Sequence, residues 1–330
     1  TNIAEENNNW GNAGRYPSVS LAGYSNNKYN ITDNVSNENM LGADLGLDWV
    51  LFNGFKVFAT KNKLAQFEEL AKGNASVLVE NSIQDVILGY YLVLLNQEKL
   101  KVLREVMELS NDRYKYELRK KELGSSVTYQ VLQSKNNFLS DKVAFLTQEV
   151  ALRNSQRDLN FLMGIDSLTN WSYIQQFSAD TNEYALNDLR EKMYSNNHVL
   201  KNQYIGLKLK QYETKISKSN LYPSVSLSAG LSSLNPYTID NSSVSLTNNN
   251  SFNAYENVSL SYNIFTGGTR KRAVHVAKIN EEIAFTRIDE IKHVLNNQLM
   301  NSFDLYMVRK VLLNVATENM ETAKLNLGIA

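Results

Sequence analysis

The sequence predicts an α+β chain in which long antiparallel coiled-coil helices alternate with two β-hairpins. Three observations carry that prediction. Serine-laced runs alternate apolar and polar residues with period two; long proline-free stretches repeat apolar residues at helical spacing; and the pattern is written twice. The hexapeptide YPSVSL stands at Tyr16–Leu21 and again, unchanged, at Tyr222–Leu227, 206 positions on (222 − 16).

The strand runs are the clearest. In PSVSLSAGLS, Val225, Leu227, Ala229 and Leu231 alternate with Ser224, Ser226, Ser228 and Gly230. In the earlier copy Val19 and Leu21 alternate with Ser18 and Ser20. Successive side chains of a strand point to opposite faces, so each run presents one aliphatic face and one small, polar face. Each copy leads into a polar, asparagine-rich loop, with NNN at Asn248–Asn250 in the second, and then into another alternating run. In ADLGLDWVLF, Ala43, Leu45, Leu47, Trp49 and Leu51 alternate with Asp44, Gly46, Asp48 and Val50. In NVSLSYNIF, Val258, Leu260, Tyr262 and Ile264 alternate with Asn257, Ser259, Ser261 and Asn263. The reading is two hairpins, over 16–53 and 222–266, each with two strands of about ten residues, the length of a tilted membrane strand.

Helices fill the rest. Residues 1–15 read as the end of one. From Lys56 to Leu123 there is no proline, and Ile83, Val86, Ile87, Tyr90 and Leu94 recur at helical spacing. At 1.5 Å per residue that run reaches roughly 100 Å. Gly124-Ser125-Ser126 interrupts it. The next helix has stricter heptads: Val131, Phe138, Phe145, Leu152 and Leu159, shadowed by Leu132, Leu139 and Leu146. Sustained heptads mean coiled-coil packing, here back against the preceding helix, giving a helical hairpin over 54–164 with its tip at 123–127. Gly164 caps its end. An irregular segment, 165–184, leads to a helix over 185–221, and the second hairpin leads to a long helix over 267–330.

The duplicated unit is therefore helix, strand, loop, strand, long helix. LFNGFKVFAT at Leu51–Thr60 and IFTGGTRKRA at Ile264–Ala273 mark the same strand-to-helix junction, 213 apart (265 − 52). Glycine suits a junction where the backbone turns without a β-carbon clash. A phosphate-cradling loop is a poor alternative, since GxGxxG and Walker spacing are both absent.

Composition narrows the function. Lysine plus arginine equal aspartate plus glutamate at 34 each in 330 residues, so no nucleic-acid partner is indicated. The absence of cysteine removes disulfides, thiolate catalysis and thiolate metal sites. The opening TNIAEENNNW has neither the basic start nor the apolar core of a signal peptide, which reads as a mature, cytosolic or partial chain. The longest apolar run, Val86–Leu95, is about half of the roughly 20 residues a bilayer span needs, so no segment is expected to be a transmembrane helix.

With these residues in view, the chain resembles the TolC-like outer-membrane efflux proteins. The resemblance lies in the Tyr-Pro-Ser-Val-Ser-Leu strand starts and the Phe-x-Gly junctions at Phe52–Gly54 and Phe265–Gly267. It lies also in LGSSVTYQVLQSKNNFL (Leu123–Leu139), similar to that family's glycine-centred hairpin tip, and in RDLNFLMGI at the end of the second helix. It runs over essentially the whole chain, in order and in duplicate. The resemblance implies a further helix before Thr1, and a second tip with a returning helix after Ala330. The sequence therefore reads as truncated at both ends.

The resemblance implies a homotrimer, with a 12-stranded β-barrel continued by an α-helical tunnel. Elementary physics points the same way. Four strands cannot close a barrel, and lipid does not tolerate an open sheet edge; three chains pooling four strands would give twelve. On this reading Val19, Leu21, Leu45, Leu47, Trp49, Val225, Leu227, Leu260, Tyr262 and Ile264 face lipid, with Trp49 and Tyr262 in an interfacial girdle. Ser18, Ser20, Asp44, Asp48, Ser224, Ser226, Ser259 and Asn263 line the pore. The alternative is a soluble coiled-coil structural or tethering protein with the aliphatic faces packed together.

No catalytic constellation emerges. His198, His275 and His293 are scattered, without HExxH or carboxylate spacing. Asp44 and Asp48 share a strand face roughly 13 Å apart, too far for an acid–base pair. Arg270-Lys271-Arg272 opens a helix just past a strand, where it meets lipid headgroups or is simply a solvated first turn. The expectation is a passive conduit without cofactor, catalytic residue or metal. The family docks a periplasmic adaptor, and through it an inner-membrane pump, at the helix tips; this implies adaptor contact at Gly124, Ser125, Ser126 and Val127. The implied location is a Gram-negative outer membrane, with the helices in the periplasm.

Overall fold

The computed structural model describes residues 1–28, 38–167, 169, 171, 182–240, 243–246 and 250–329. The loop of the first hairpin, most of the irregular segment 165–184, Asn248 and Asn249 of the second NNN run, and Ala330 lie outside the described residues.

The elements are α1 (Asn2–Asn7), β1 (Ser18–Lys28), β2 (Glu38–Asn53), α2 (Lys56–Glu122), α3 (Thr128–Leu162), α4 (Leu186–Asn196), α5 (His198–Ser219), β3 (Ser224–Asp240), β4 (Ser243–Leu246), β5 (Ser251–Ser261) and α6 (Thr269–Ile329). They form two compact units, one of residues 1–75 with 185–330 and one of residues 76–184.

The first unit holds one antiparallel sheet. Its order is β1-β2-β3, and the far edge of β3 carries β5 along Ser224–Leu234 and β4 along Tyr237–Asp240. The return strand of the second hairpin is thus two pieces. Ser18 lies opposite Asp48 in the first hairpin and Ser224 opposite Ser261 in the second. Ser224 is 206 positions after Ser18 and Ser261 is 213 after Asp48, the two offsets of the sequence repeat. The duplication is therefore one of register as well as of sequence. β2 and β3 run 16 and 17 residues, longer than the ten expected, because each pairs on both edges.

Around the sheet, α5 packs on the first turns of α2: Lys63 Nζ sits 3.0 Å from Glu213 Oε1, and Asn202 Nδ2 donates to Asn74 Oδ1 at 2.9 Å. Gly73 leaves the room Asn202 occupies. In turn α6 packs on α5 and α4, where Thr214 Oγ1 donates to Glu281 Oε2 at 3.0 Å and Arg190 Nε to Asn296 Oδ1 at 3.1 Å. Leu200, Leu209 and Ile288 are buried between these helices. The single helix expected over 185–221 is two, because Asn197 leaves helical geometry (φ −61°, ψ 118°) and its side chain caps α5 through the Leu200 N–H. In residues 1–15 only Asn2–Asn7 are helical; Trp10, beyond them, packs edge-on against Phe58 at 5.8 Å.

The second unit is an antiparallel helical hairpin. Tyr114 stacks on Phe138 with ring centroids 6.5 Å apart, Gln148 Nε2 donates to Asn96 Oδ1 at 3.0 Å, and Leu159 and Leu162 lie over Gly89. The heptad stripe splits by function. Val131 and Leu159 are buried, Leu159 over Gly89 of α2, whereas the shadow stripe of Leu132, Leu139 and Leu146 stays about half exposed. Buried Asn160 ties down the residues just past α3, donating to Thr169 O at 2.8 Å and accepting from Trp171 Nε1 at 3.0 Å.

One expectation is corrected here. α2 does contain a stretch long and apolar enough, by length and composition, to cross a membrane. The run Val86–Leu95 continues towards the N-terminus through Leu78, Val79 and Ile83, with only Glu80 and Asp85 as charges between Leu78 and Leu95. Only 11% of that stretch is buried within the chain.

Candidate functional site

Pairing register assigns every strand residue to a face, since directly opposite residues share one. Along one face run Val19, Leu47 and Ala229; Leu21, Leu45, Leu231 and Ala254; Trp49, Leu227 and Val258; and Phe52, Val225 and Leu260. On the other lie Ser18, Asp48, Ser228 and Asn257; Ser20, Gly46, Gly230 and Tyr255; Ala22, Asp44, Ser232 and Asn253; and Ser226 with Ser259. The aliphatic face is open in the single chain: Leu21 is 79% exposed, and Val19, Val258 and Leu260 are similarly exposed.

The predicted residues fall on these faces as the alternation placed them, with three exceptions. Tyr262, Asn263 and Ile264 lie beyond the end of β5, so none is a strand residue here. The cause is a missing neighbour. Trp49, Val50 and Leu51, which occupy the corresponding place in the first repeat 213 positions earlier, stay within β2, where β3 pairs Trp49 and Val50 through Leu227 and Ser226; among the described residues β5 has no strand on that side.

Three features of the faces escaped the alternation. Tyr24 and Tyr255 stand on the polar face, each directly opposite a glycine, Gly42 and Gly230. A Cβ at Gly42 would collide with the Tyr24 ring, and one at Gly230 would stand 2.7 Å from the Tyr255 hydroxyl. The sequence signal was a glycine in the middle of a strand, which marks a close approach. Polar contacts tie the same face across strands: Ser228 Oγ donates to Asp48 Oδ1 at 2.9 Å, and the hydroxyls of Ser226 and Ser259 are 2.7 Å apart. On the aliphatic face stands one carboxylate, Glu256, opposite Ala229. It sits one residue before the recognised alternation began.

The junction after β2 is an aromatic cluster. Trp49 Nε1 donates to Arg15 O at 2.8 Å, Phe52 meets Phe55 edge-on at 5.3 Å, and the Arg15 guanidinium lies 4.7 Å from the Trp10 ring centre. A β-bulge at Leu51 breaks the register between Val50 and Phe52. Gly54 (φ +64°) packs so tightly on Ser219 O and Tyr222 that a side chain has no room. The residue after it, Phe55, also adopts a left-handed backbone, φ +67°. The second junction repeats the conformation with glycine at both places, Gly267 at φ +58° and Gly268 at φ +77°. In the cationic triad, Arg270 Nη1 donates to Asn263 O at 3.3 Å.

The helical tip is built by backbone geometry. Gly124 (φ +80°) closes α2 with Ser125 N–H donating to Lys120 O at 2.8 Å and Gly124 N–H to Lys121 O at 2.9 Å, so the last carbonyls are satisfied. Ser126 Oγ lies 2.8 Å from both Glu117 Oε2 and Gln130 Oε1, tying the last turns of α2 to the first of α3. Gly124, Ser125 and Val127 are exposed, and so are two residues the sequence reading passed over, Leu123 (82%) and Tyr129 (72%).

Elsewhere the chemistry is sparse. His198 begins α5, while His275 and His293 are exposed on α6. Among the described residues no group of three or more His, Asp or Glu side chains is placed to hold a metal ion.

No protein-family model matches the sequence, and no curated protein matches it. Solved structures do. The outer-membrane channel OprN matches with a TM-score of 0.75 at 15% identity, over 95% of this chain and 71% of that one. The Campylobacter jejuni outer-membrane channel CmeC matches with a TM-score of 0.70 at 17% identity, over 97% of this chain and 72% of that one. CusC, whose structures concern folding and transmembrane channel formation, matches with a TM-score of 0.70 at 16% identity, over 95% and 71%.

Proposed function

This chain has the fold of the TolC-like outer-membrane efflux channels, and from that premise we propose that it is one subunit of a trimeric outer-membrane channel. The assembled channel is the exit duct of a tripartite efflux or type I secretion system. Small molecules or polypeptides pass through it passively from an inner-membrane pump to the exterior.

One observation carries the proposal: a sheet with an aliphatic face, a Ser/Asp/Gly/Tyr face and two edges that are unpaired among the described residues. Three such sheets, joined edge to edge, put aliphatic side chains against lipid and small polar ones around water. Val19, Leu21, Leu45, Leu47, Trp49, Val225, Leu227 and Leu260 are the lipid contacts; Ser18, Ser20, Asp44, Asp48, Ser224, Ser226 and Ser259 line the lumen. The exposed apolar stripes on α2, α3 and α6 then pack between subunits as walls of a periplasmic tunnel. This use accounts for the apolar stretch of α2 without a helical membrane span. At the tip, Gly124, Ser125, Ser126 and Val127 meet a periplasmic adaptor, since small residues allow close helix approach.

The test is the mass of the protein extracted from membranes in mild detergent, read by light scattering. A detergent-dependent trimer that conducts ions in a planar bilayer supports the channel. A monomer or dimer that stays dispersed without detergent overturns it and leaves a coiled-coil scaffold.

A further inference from the structure

The two strand-to-helix junctions are near copies in conformation but not in surroundings. Around the first, β2 continues past its hairpin partner because β3 pairs with Phe52 and Asn53, and Gly54 nestles against Ser219 O and the Tyr222 side chain. Around the second, no atom of the described residues lies within 4 Å of where a Cβ of Gly267 would stand, and Ile264 and Phe265 are 91% and 86% exposed. The corresponding Leu51 is 45% exposed. The first junction has its seat inside the chain, and among the described residues the second has none.

The repeat identifies the missing seat. The first junction rests on the turn that enters β3. The repeat-equivalent of that turn is the one entering β1, where Ala13 stands for Ser219 and Tyr16 for Tyr222 at the 206-residue offset. The outer edge of β1 is likewise unpaired among the described residues, and Tyr16 is 63% exposed. A chain cannot offer both its first and last strands to each other while the sheet between them stays open. A second copy can.

We propose that the free edge of β5, with residues 262–267, is completed by the free edge of β1 and the Ala13–Tyr16 turn of a second copy of this chain, in the register that places Ser261 opposite Ala22. That register is the β2–β3 ladder carried through the repeat: Asp48 pairs Ser228, and their equivalents are Ser261 and Ala22. It rests on the oligomeric reading above but fixes what that reading leaves open.

The register is self-consistent on both faces. Tyr262 falls opposite Leu21 and Leu260 opposite Gly23, joining the aliphatic face; Ser259 falls opposite Tyr24, joining the polar one. Gly267 then seats on Ala13 and Tyr16 as Gly54 seats on Ser219 and Tyr222. Tyr262, Asn263 and Phe265 become strand residues once they have a ladder to join. Glu256, the carboxylate on the aliphatic face, falls opposite Asn27, whose side-chain amide can donate to it.

These 330 residues contain no cysteine, and with any cysteine elsewhere in the full-length chain replaced by serine the paired cysteines report without background. Ala22→Cys is combined in turn with Ser259→Cys, Ser261→Cys and Asn263→Cys in the full-length membrane-extracted protein. After mild oxidation, denaturing gels are read for covalent oligomers. The expected result is efficient cross-linking for the Ser261 pair and at least several-fold less for the other two, which are shifted by two residues either way. Preferential cross-linking of a shifted pair, or none in a protein that light scattering shows to be trimeric, overturns the register while the trimer stands. If light scattering shows no trimer, and no pair cross-links, both readings fall.

Discussion

The phenol of Tyr255 on β5 covers Gly230, its direct partner on β3. A Cβ at Gly230 would stand 2.7 Å from the Tyr255 hydroxyl oxygen and 2.5 Å from the carbonyl oxygen of Leu45 on the other neighbouring strand. Backbone cannot step aside as a side chain can. Gly230→Ala should therefore cost roughly 1–3 kcal/mol through overpacking. Gly42→Ala should cost less, because there only the swinging ring of Tyr24 is in the way. Thermal unfolding of both variants in detergent gives the comparison; equal losses would show that the tyrosine alone sets the price of a side chain.

The two sheet faces should respond oppositely to charge. Leu45→Arg places a guanidinium on the aliphatic face and is expected to cost about 2–4 kcal/mol near the bilayer midplane. Replacing both Asp44 and Asp48 by asparagine should leave assembly intact. It should shift the conductance away from cations, because acidic rings favour them. Reversal potentials in a salt gradient measure that shift; an unchanged potential would place both carboxylates away from the ion path.

How far this site was legible depends on what each signal requires. Period-two alternation needs only the strand itself, so the two faces could be read at Val19–Leu21 and Val225–Leu231. Where a strand stops depends on its neighbours, which is why the alternation predicts strand at Tyr262–Ile264 while β5 ends at Ser261. The break at Asn197 was written in a residue that caps helices, but no periodicity was lost across it. Leu123 and Tyr129 at the tip were passed over because apolar residues in a helical pattern look alike whether they face a core or a partner. Phe55 gave no signal at all: only its alignment with Gly268 marks the left-handed backbone.

The tie between α2 and α5 should weaken in acid. Burial pushes the Glu213 carboxyl up, but hydrogen bonds from Lys210 and Lys63 outweigh it and hold the carboxyl below the ordinary carboxylate range. A carboxyl depressed in the folded state adds stability that is fully present above its ordinary range. That stability is lost as pH falls through the folded value. Glu213 Oε1 is 3.0 Å from Lys63 Nζ and Oε2 is 2.9 Å from Lys210 Nζ. The ion pairs are partly solvated, so the contribution is expected to stay within about 1 kcal/mol. Glu213→Gln should be less stable than the native chain at neutral pH and lose less on acidification. Parallel stability–pH curves for the two proteins would rule the linkage out.

At the tip, assembly and coupling should separate. Val127→Ala and Tyr129→Ala remove exposed side chains that belong to no packed core, so trimer yield and melting temperature should match the native protein. Export in cells lacking the native channel gene should fall by several-fold. Gly124→Ala forces a Cβ into a left-handed conformation and is expected to cost about 1 kcal/mol locally. Unimpaired export by all three variants would move the partner contact away from residues 123–129.

Phe55 and Gly268 offer the most direct test of strain, because the repeat supplies the control. Both follow a left-handed glycine, at φ +67° and φ +77°, but only Phe55 carries a β-carbon into that region, where an L residue is disfavoured by roughly 1–2 kcal/mol. Its ring is 63% exposed and touches Phe52 edge-on, so little burial is lost by removing it. Glycine gives back part of the gain by loosening the unfolded chain, about 0.5–1 kcal/mol. Phe55→Gly should therefore stabilise the protein by a net of several tenths to about 1 kcal/mol. Gly268→Phe should destabilise it by a comparable or larger amount. Unfolding midpoints of the two variants, measured in the same detergent, settle the sign. If Phe55→Gly lowers the midpoint, the edge-on contact with Phe52 outweighs the backbone strain, and the aromatic cluster of Trp10, Trp49, Phe52 and Phe58 is what fixes the turn from strand to helix.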